Sequence, residues 1–347
     1  MAYRQVKKLP TAEEIIASYP LSNDGYKKIA THRQEISSIL SGQGNRKICV
    51  VGPCSAWPEE AVLKYAKKLV GLSDKVKDQL KIVMRTYIQK PRTVKGWTGP
   101  VNQPDPLCPP DIAEGIKYAR RLMVKVNELG LPIADEALFT HNAQGFLELL
   151  SWVAIGARSS EDQEHRIHAS AMDCPVGMKN PTHGSLKIGV NGVVAAQNAH
   201  SAVFDGYEIE TDGNSFAHIV LRGSNDAPNY GVEYIMEVKK YLDSAKVKNP
   251  AIMIDVSHDN CLINGKKDPT KQGEIINSIL DSVQDKPELK ILVKGFMLES
   301  FLKPGNQNAE TVEKIDLDGL SITDPCLGWE QTEEVLIGLA KRVANDH

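Results

Sequence analysis

Four side chains have the chemistry to share one divalent cation. They are the Cys54 thiol in Gly52-Pro53-Cys54-Ser55, the His258 imidazole in Asp255-Val256-Ser257-His258, and the carboxylates of Glu299 in Leu298-Glu299-Ser300 and Asp324 in Ser321-Ile322-Thr323-Asp324. One thiolate, one imidazole and two carboxylates suit a borderline ion: Mn²⁺, Fe²⁺, Co²⁺ or Zn²⁺. A closed structural zinc site is usually thiolate-rich, whereas mixed ligands with an open position fit a Lewis acid that polarises a carbonyl. A second group is cationic: Arg85, Lys90, Arg158, Lys179 and Arg222, with Arg92 and Thr93 just after Lys90. Arginine forks grip phosphate and carboxylate oxygens in pairs, while lysine supplies a mobile point charge. Five cations round one empty pocket would repel one another, so the group makes sense around a small polyanion, with Arg92 and Thr93 holding a second phosphate further out.

Taken singly, each residue has a plainer reading. Cys54 fits a small core position, since free cysteine is often buried. His258 fits a satisfied core histidine, Glu299 a helix N-terminal partner, and any lone Arg or Lys a solvated loop charge. The four ligands are scattered from position 54 to position 324, so spacing alone signals a metal weakly. The site depends on a fold that gathers them.

That fold is legible in the alternation of elements. Short β-rich runs at Ile48–Val51, Leu80–Tyr87, Leu131–Ala134, Trp152–Ala157, Pro175–Met178, His218–Leu221, Ala251–Val256 and Ile291–Met297 are several times almost continuously apolar, as parallel strands covered on both faces require. Helical periodicity fills Glu59–Leu72, Asp111–Leu129, Tyr234–Leu242, Gln272–Val283 and Gln331–Val343. Eight such units predict an α/β fold, a (β/α)8 TIM barrel, over 46–347; an open doubly wound sheet is the alternative. Before it, residues 1–45 read as a helical arm. Thr11-Ala12-Glu13-Glu14 matches a capping box, Pro20 interrupts the first helix, and Tyr26, Ile29, Ile36 and Leu40 recur at helical spacing. Residues 190–215 fit the alternation poorly, and Ala202–Ile209 reads as an extra hairpin, around 200–212, before strand six. On this reading the reactive residues all follow strands. Cations come after strands two, four, five and six, and Cys54, His258 and Glu299 after strands one, seven and eight, which become neighbours when the sheet closes. Barrel enzymes build their sites at that face.

Composition narrows the rest. The chain has 347 residues, 41 Lys+Arg against 44 Asp+Glu, and a net charge of −3. That balance gives no support to bulk nucleic-acid binding but permits a local basic pocket. No run approaches the length of a membrane span, and Met1 to Lys8 has no signal-peptide apolar core. The six cysteines are dispersed without paired CxxC spacing, so reduced thiols in the cytoplasm are expected.

Read in order, the motifs resemble a known family. Gly52-Pro53-Cys54-Ser55, Lys90-Pro91-Arg92-Thr93 with Gly96-Trp97, Gly156-Ala157-Arg158, Cys174-Pro175-Val176-Gly177-Met178-Lys179-Asn180, Ile219 to Gly223, Ile254 to His258, Glu299-Ser300, and Ser321 to Asp324 through Gly328-Trp329-Glu330 are similar to the type I 3-deoxy-D-arabino-heptulosonate 7-phosphate (DAHP) synthases, of the aromatic-regulated enterobacterial class. The resemblance runs over nearly the whole chain. It implies condensation of phosphoenolpyruvate with erythrose 4-phosphate, the first step of the shikimate pathway, by a metal-dependent homodimer or homotetramer. It further implies Cys54, His258, Glu299 and Asp324 as metal ligands. Arg85, Lys90, Ala157, Arg158, Lys179 and Arg222 would hold phosphoenolpyruvate; Arg92, Thr93 and Asp324 would hold the aldose phosphate. Lys90, or a metal-bound water beside it, would protonate the developing alkoxide, and Glu136 would position a water.

Three regions depart from the family pattern. The connection from Ala199-His200 to Arg222, reading Phe204-Asp205-Gly206-Tyr207-Glu208, is shorter than in feedback-regulated members, and the N-terminal arm is slightly short at its start. The resemblance places the inhibitor site in those two regions, so aromatic feedback control is expected to be weakened or altered; near strand three, Ala137-Leu138-Phe139-Thr140-His141 also differs from the usual run. Two alternatives stand beside this reading: a synthase joining phosphoenolpyruvate to another aldose phosphate, against which Lys90-Pro91-Arg92-Thr93 argues, and a catalytically silent barrel that binds metabolites. Cys326, two positions past Asp324, is expected close to Cys54 and open to oxidation with it.

Overall fold

The computed structural model describes residues 2–91, 96–137, 145–204, 206–225, 227–309, 311–312 and 314–345. Helix α1 (Ala12–Ser18) carries the capping box in full: Thr11 accepts from the Glu14 amide and Glu14 accepts from the Thr11 amide. Helix α2 (Asn23–Leu40) is capped by Ser22. Its Ile36, Ile39 and Leu40 are buried, whereas Tyr26, expected on that face, is 40% exposed.

The chain then alternates through β1 (Lys47–Gly52), α3 (Glu59–Val76), β2 (Leu80–Arg85), α4 (Ile112–Glu128), β3 (Ile133–Ala137), β4 (Trp152–Ile155), α5 (Gln163–Ser170), β5 (Val176–Lys179) and α6 (Leu186–Gln197). An antiparallel hairpin follows, β6 (Ser201–Phe204) and β7 (Tyr207–Glu210), and then β8 (His218–Leu221), α7 (Val232–Ser244) and β9 (Ile252–Asp255). A second, two-residue hairpin, β10 (Leu262–Ile263) and β11 (Lys266–Lys267), precedes α8 (Lys271–Val283), α9 (Pro287–Leu292), β12 (Val293–Glu299) and α10 (Trp329–Asn345). Strands β1, β2, β3, β4, β5, β8, β9 and β12 pair in parallel and close into a barrel in which β12 sits between β9 and β1. Both hairpins lie outside it.

Two apolar layers hold this arrangement. One joins the outward faces of the strands to the helices around them, as in Cys49, Val51, Ile82 and Leu298 against Leu69, Leu122 and Leu336. The other fills the barrel, where Val50, Val83, Trp152, Val220 and Met253 meet Ile36, Ile39 and Leu40 of α2. The arm thus belongs to the barrel's packing and seats on its interior.

The strand-eight expectation needs correction. Ile291 and Leu292 belong to α9, because Pro287 at its first turn starts a helix without needing an amide donor. Strand two stops at Arg85 rather than Tyr87, and strand four at Ile155 rather than Ala157. Helices α5 and α6 escaped the periodicity. The first has only 8 residues, and the second is apolar almost all round, so neither shows a one-sided stripe. Among the described residues no helix is long and apolar enough to cross a membrane.

Candidate active site

Because the eight barrel strands run the same way, their C-terminal ends share one mouth. Register sets the first contacts there: Gly52 pairs with Glu299 across β1 and β12, and Met297 pairs with Asp255 across β12 and β9. Cys54 is two residues beyond Gly52, and His258 three beyond Asp255.

Cys54, Glu299 and Asp324 offer ligand atoms that all lie within 4.8 Å of one another. His258 stands outside that trio but touches it, its Nε2 3.4 Å from Glu299 Oε1. Its other nitrogen, Nδ1, faces Asp255 Oδ2 and Ser257 Oγ, both at 2.8 Å, while the Ser257 hydroxyl is spent on Asp255 Oδ1 at 2.6 Å. Nδ1 therefore carries the proton, and burial holds the ring below its ordinary pKa, so it is neutral at pH 7. The lone pair of Nε2 then points at a carboxylate oxygen. Acceptor against acceptor, beside a thiol and a second carboxylate, is an arrangement that a cation between them resolves. The donor set fits a borderline divalent ion.

The thiol itself is buried, and burial with Glu299 nearby pushes Cys54 up to about 11, so it is a thiol until a metal displaces its proton. Burial alone would raise Glu299, but the Arg85 guanidinium bonded to it opposes that, and the carboxyl stays below its usual value. Asp324 is likewise held far below its usual range against its burial, by Lys267 and Lys90.

The cations are not a bare cluster. Arg85, with no solvent exposure, donates from Nη2 to Glu299 Oε1 at 3.0 Å and from Nε to the Pro53 carbonyl at 3.3 Å, and stacks 3.9 Å from the Tyr87 ring centroid. Its Nη1 is buried without a partner among the described residues. Lys179 lies 3.5 Å from Glu136 and 3.4 Å from Asp255, and Arg222 pairs with Asp259. The expected mutual repulsion of five cations is thus offset by buried carboxylates. For Lys90, burial disfavours the ammonium, but Cys54, Glu299 and Asp324 outweigh that and raise it. Ala157 is buried just past β4, and Arg158 beside it is exposed. Arg92 and Thr93 lie outside the described residues.

Glu136 sits at this mouth too. Burial would raise it, yet Lys179 and Lys90 keep it below its usual value. A side chain on Gly156 would place its Cβ 2.4 Å from Glu136 Oε1, so the glycine clears room for that carboxylate.

Several partners carried no signal in the sequence. Lys267 comes from the small β10–β11 hairpin and donates to Asp324 Oδ2 at 2.7 Å. Tyr87 lies 6.0 Å from Lys179 as well as under Arg85. Asn180 accepts from the Arg222 amide at 2.9 Å and donates to the Gly223 carbonyl, tying two strand ends together. Asp135 accepts from the Ile88 and Glu136 amides, bracing the segment that leads to Lys90. Of these, only Asn180 stood inside a motif read from the sequence.

Residues 20–337 match the model of the DAHP synthetase I family. The chain belongs to that family. The chain is 38% identical, over 98% of its length and 97% of the relative's, to the Trp-sensitive phospho-2-dehydro-3-deoxyheptonate aldolase of Enterobacter agglomerans. The Phe-sensitive enzyme of Escherichia coli (strain K12) is also 38% identical, covering 98% and 96%, and one from Corynebacterium glutamicum is 38% identical, covering 96% and 92%. Among solved structures, phospho-2-dehydro-3-deoxyheptonate aldolase from Francisella tularensis SCHU S4 superposes with a TM-score of 0.93 at 34% identity, covering 99% of both chains. As a DAHP synthase the chain is an enzyme of the transferase type, joining phosphoenolpyruvate to erythrose 4-phosphate at the first step of the shikimate pathway, and its family is metal-dependent.

Proposed function

We propose that the reaction takes place where Cys54, His258, Glu299 and Asp324 converge, with the cations of the barrel mouth dividing two anionic substrates between them. One observation carries this reading: the buried, unpartnered Nη1 of Arg85 stands on the same guanidinium whose Nη2 is held by Glu299. One fork thus joins the candidate metal ligands to the candidate substrate anion.

Cys54, His258, Glu299 and Asp324 would hold a divalent ion, Mn²⁺, Fe²⁺, Co²⁺ or Zn²⁺, which when bound supplies a Lewis acid for the aldehyde oxygen. Arg85, Lys90, Arg158, Lys179 and Arg222, with the chain at Ala157, hold phosphoenolpyruvate; Arg92 and Thr93, with Asp324, hold the aldose phosphate. Placing both polyanions against fixed cations overcomes their repulsion and supplies the orientation. The methylene carbon of phosphoenolpyruvate forms the new carbon–carbon bond, and Lys90 gives a proton to the developing alkoxide. Water positioned by Glu136 adds to the former enol carbon, and loss of inorganic phosphate leaves the 2-keto acid. We further infer a homodimer or homotetramer, an inference supported by exposed Val203 and Tyr207 on the β6–β7 hairpin, and a cytoplasmic enzyme, on its six free cysteines. The short hairpin supports weakened or altered aromatic control, checked by titrating activity with Phe, Tyr and Trp.

Following phosphoenolpyruvate absorbance with erythrose 4-phosphate, then arabinose 5-phosphate, each with and without chelator, tests the reading. Chelator-sensitive turnover with the four-carbon sugar is expected. Turnover with only the five-carbon sugar would move the substrate assignment, and none with either would favour a silent barrel. Arg92→Ala should mainly raise KM for the aldose phosphate.

A further inference from the structure

Three features meet where β9 ends in Asp255-Val256-Ser257-His258. The first is a ligand out of place. Cys54, Glu299 and Asp324 offer atoms within 4.8 Å of one another, and His258 is not part of that group, although its Nε2 is 3.4 Å from Glu299 Oε1. The second is an orphaned acceptor. Asp255 has no solvent exposure, and its Oδ2 has no hydrogen-bond partner among the described residues. That oxygen lies 2.8 Å from His258 Nδ1 and 3.4 Å from Lys179 Nζ, so both are close and neither is aligned to donate to it. The third is backbone strain: His258 takes φ +51°, a left-handed conformation that a residue with a Cβ seldom adopts.

The strained turn is held from several sides. The Asn260 amide donates to the Ser257 carbonyl at 3.2 Å. Its side-chain Nδ2 donates to the carbonyls of Asp255 at 2.8 Å and Leu221 at 3.2 Å, and the Cys261 thiol donates to the His258 carbonyl at 3.3 Å. Strain persists where the surroundings over-determine it, and it gathers at functional sites. With the main chain fixed, the imidazole is what can turn. Here Nδ1 donates to Ser257 Oγ at 2.8 Å, and the Ser257 hydroxyl donates to Asp255 Oδ1 at 2.6 Å. The Ser257 amide adds a bond to Oδ1 at 3.1 Å. The carboxylate is thus pinned by one oxygen and presents the other to the ring.

We propose that Asp255 is a positioning residue for His258. The ring turns from Ser257 Oγ to Asp255 Oδ2, and in that turn Nε2 joins Cys54, Glu299 and Asp324 around a divalent ion. This rests on the assignment of those four residues as metal ligands. A buried acceptor left unpaired is costly, and a ligating histidine is best oriented when its other nitrogen donates to a carboxylate. One rotation satisfies both. Lys179 keeps a carboxylate neighbour throughout, since its Nζ is also 3.5 Å from Glu136 Oε2.

The test titrates the chelator-treated full-length enzyme with Mn²⁺ by calorimetry, in wild type, Asp255→Asn and His258→Ala. Asp255→Asn is expected to weaken Mn²⁺ binding about ten- to hundredfold. Unchanged binding there, with His258→Ala impaired, would overturn the proposal and leave the ligand assignment standing. Unchanged binding in His258→Ala would bring down the assignment itself and the proposal with it. A crystal structure of the Mn²⁺-loaded wild type needs no variant to fold: His258 Nδ1 should donate in line to Asp255 Oδ2, with Nε2 on the ion. A ring still bonded to Ser257 would overturn the proposal, because a merely structural Asp255 leaves it there.

Discussion

The backbone amide of Asp324 donates to Sγ of Cys54 at 3.3 Å, across 270 positions of sequence. Beside it the hydroxyls of Ser55 and Thr323 meet at 3.0 Å. Two loops, one after β1 and one after β12, are thereby locked to each other before any substrate arrives. The thiol and the carboxylate are held facing the same space by main-chain geometry, which a side-chain substitution elsewhere does not easily relax.

His258 is the candidate ligand whose removal should be most selective. His258→Ala takes away the neutral Nε2 donor and leaves Asp255 without its 2.8 Å partner. Loss of bound metal by at least tenfold and near-total loss of turnover are expected, read by metal analysis and by phosphoenolpyruvate consumption. A variant that keeps its metal and a near-normal rate would remove His258 from the site.

Lys267 should act through Asp324. Its 2.7 Å bond fixes the carboxylate, and a fixed ligand binds metal better than a mobile one. Lys267→Met is expected to weaken divalent-ion affinity by about tenfold, measured by direct metal titration of the chelator-treated protein, with Lys267→Arg recovering most of it. Unchanged affinity in Lys267→Met would assign the pair to surface charge balance alone.

Two histidines make folding sensitive to acid. Burial lowers His32 and His218 to about 4, so both are neutral in the folded chain while the unfolded chain protonates them near their ordinary value. Their contribution is fully present above about pH 6.5 and is lost as pH falls towards 4, at about 1.4 kcal/mol per pH unit for each. Urea unfolding at pH 7.5 and 5.5 should show the falling midpoint, and a flat profile would contradict it.

How much of this was legible beforehand follows from range. Barrel strands announced themselves because both faces are covered, so Ile48–Val51 and residues 251–254 read as unbroken apolar runs. The candidate ligands Cys54, Glu299 and Asp324 could be expected together because the strand ends share one mouth. Ion pairing did not, since Arg222 with Asp259 or Arg85 with Glu299 depends on side-chain reach that spacing does not encode. Lys267 was invisible for the same reason, its hairpin being too short for a strand signal. Helix α6, apolar on most sides, offered no stripe to find.

The loop junction at Asp324 also carries a redox consequence. Its amide contacts the Cys54 sulfur, and its carbonyl accepts from the Cys326 thiol at 3.7 Å, so both sulfurs border one residue. Burial raises both thiols, Cys54 to about 11, which makes the metal-free pair slow to oxidise at neutral pH and faster as pH rises. Peroxide should join them, two thiols and one peroxide giving a disulfide and two waters, with loss of activity because Cys54 no longer serves as a ligand. Inactivation reversed by dithiothreitol, prevented in Cys326→Ser and slowed by prior metal loading is expected, with the cross-linked peptide identified by mass spectrometry. Full activity with both thiols free after peroxide treatment would show that the two sulfurs do not reach each other.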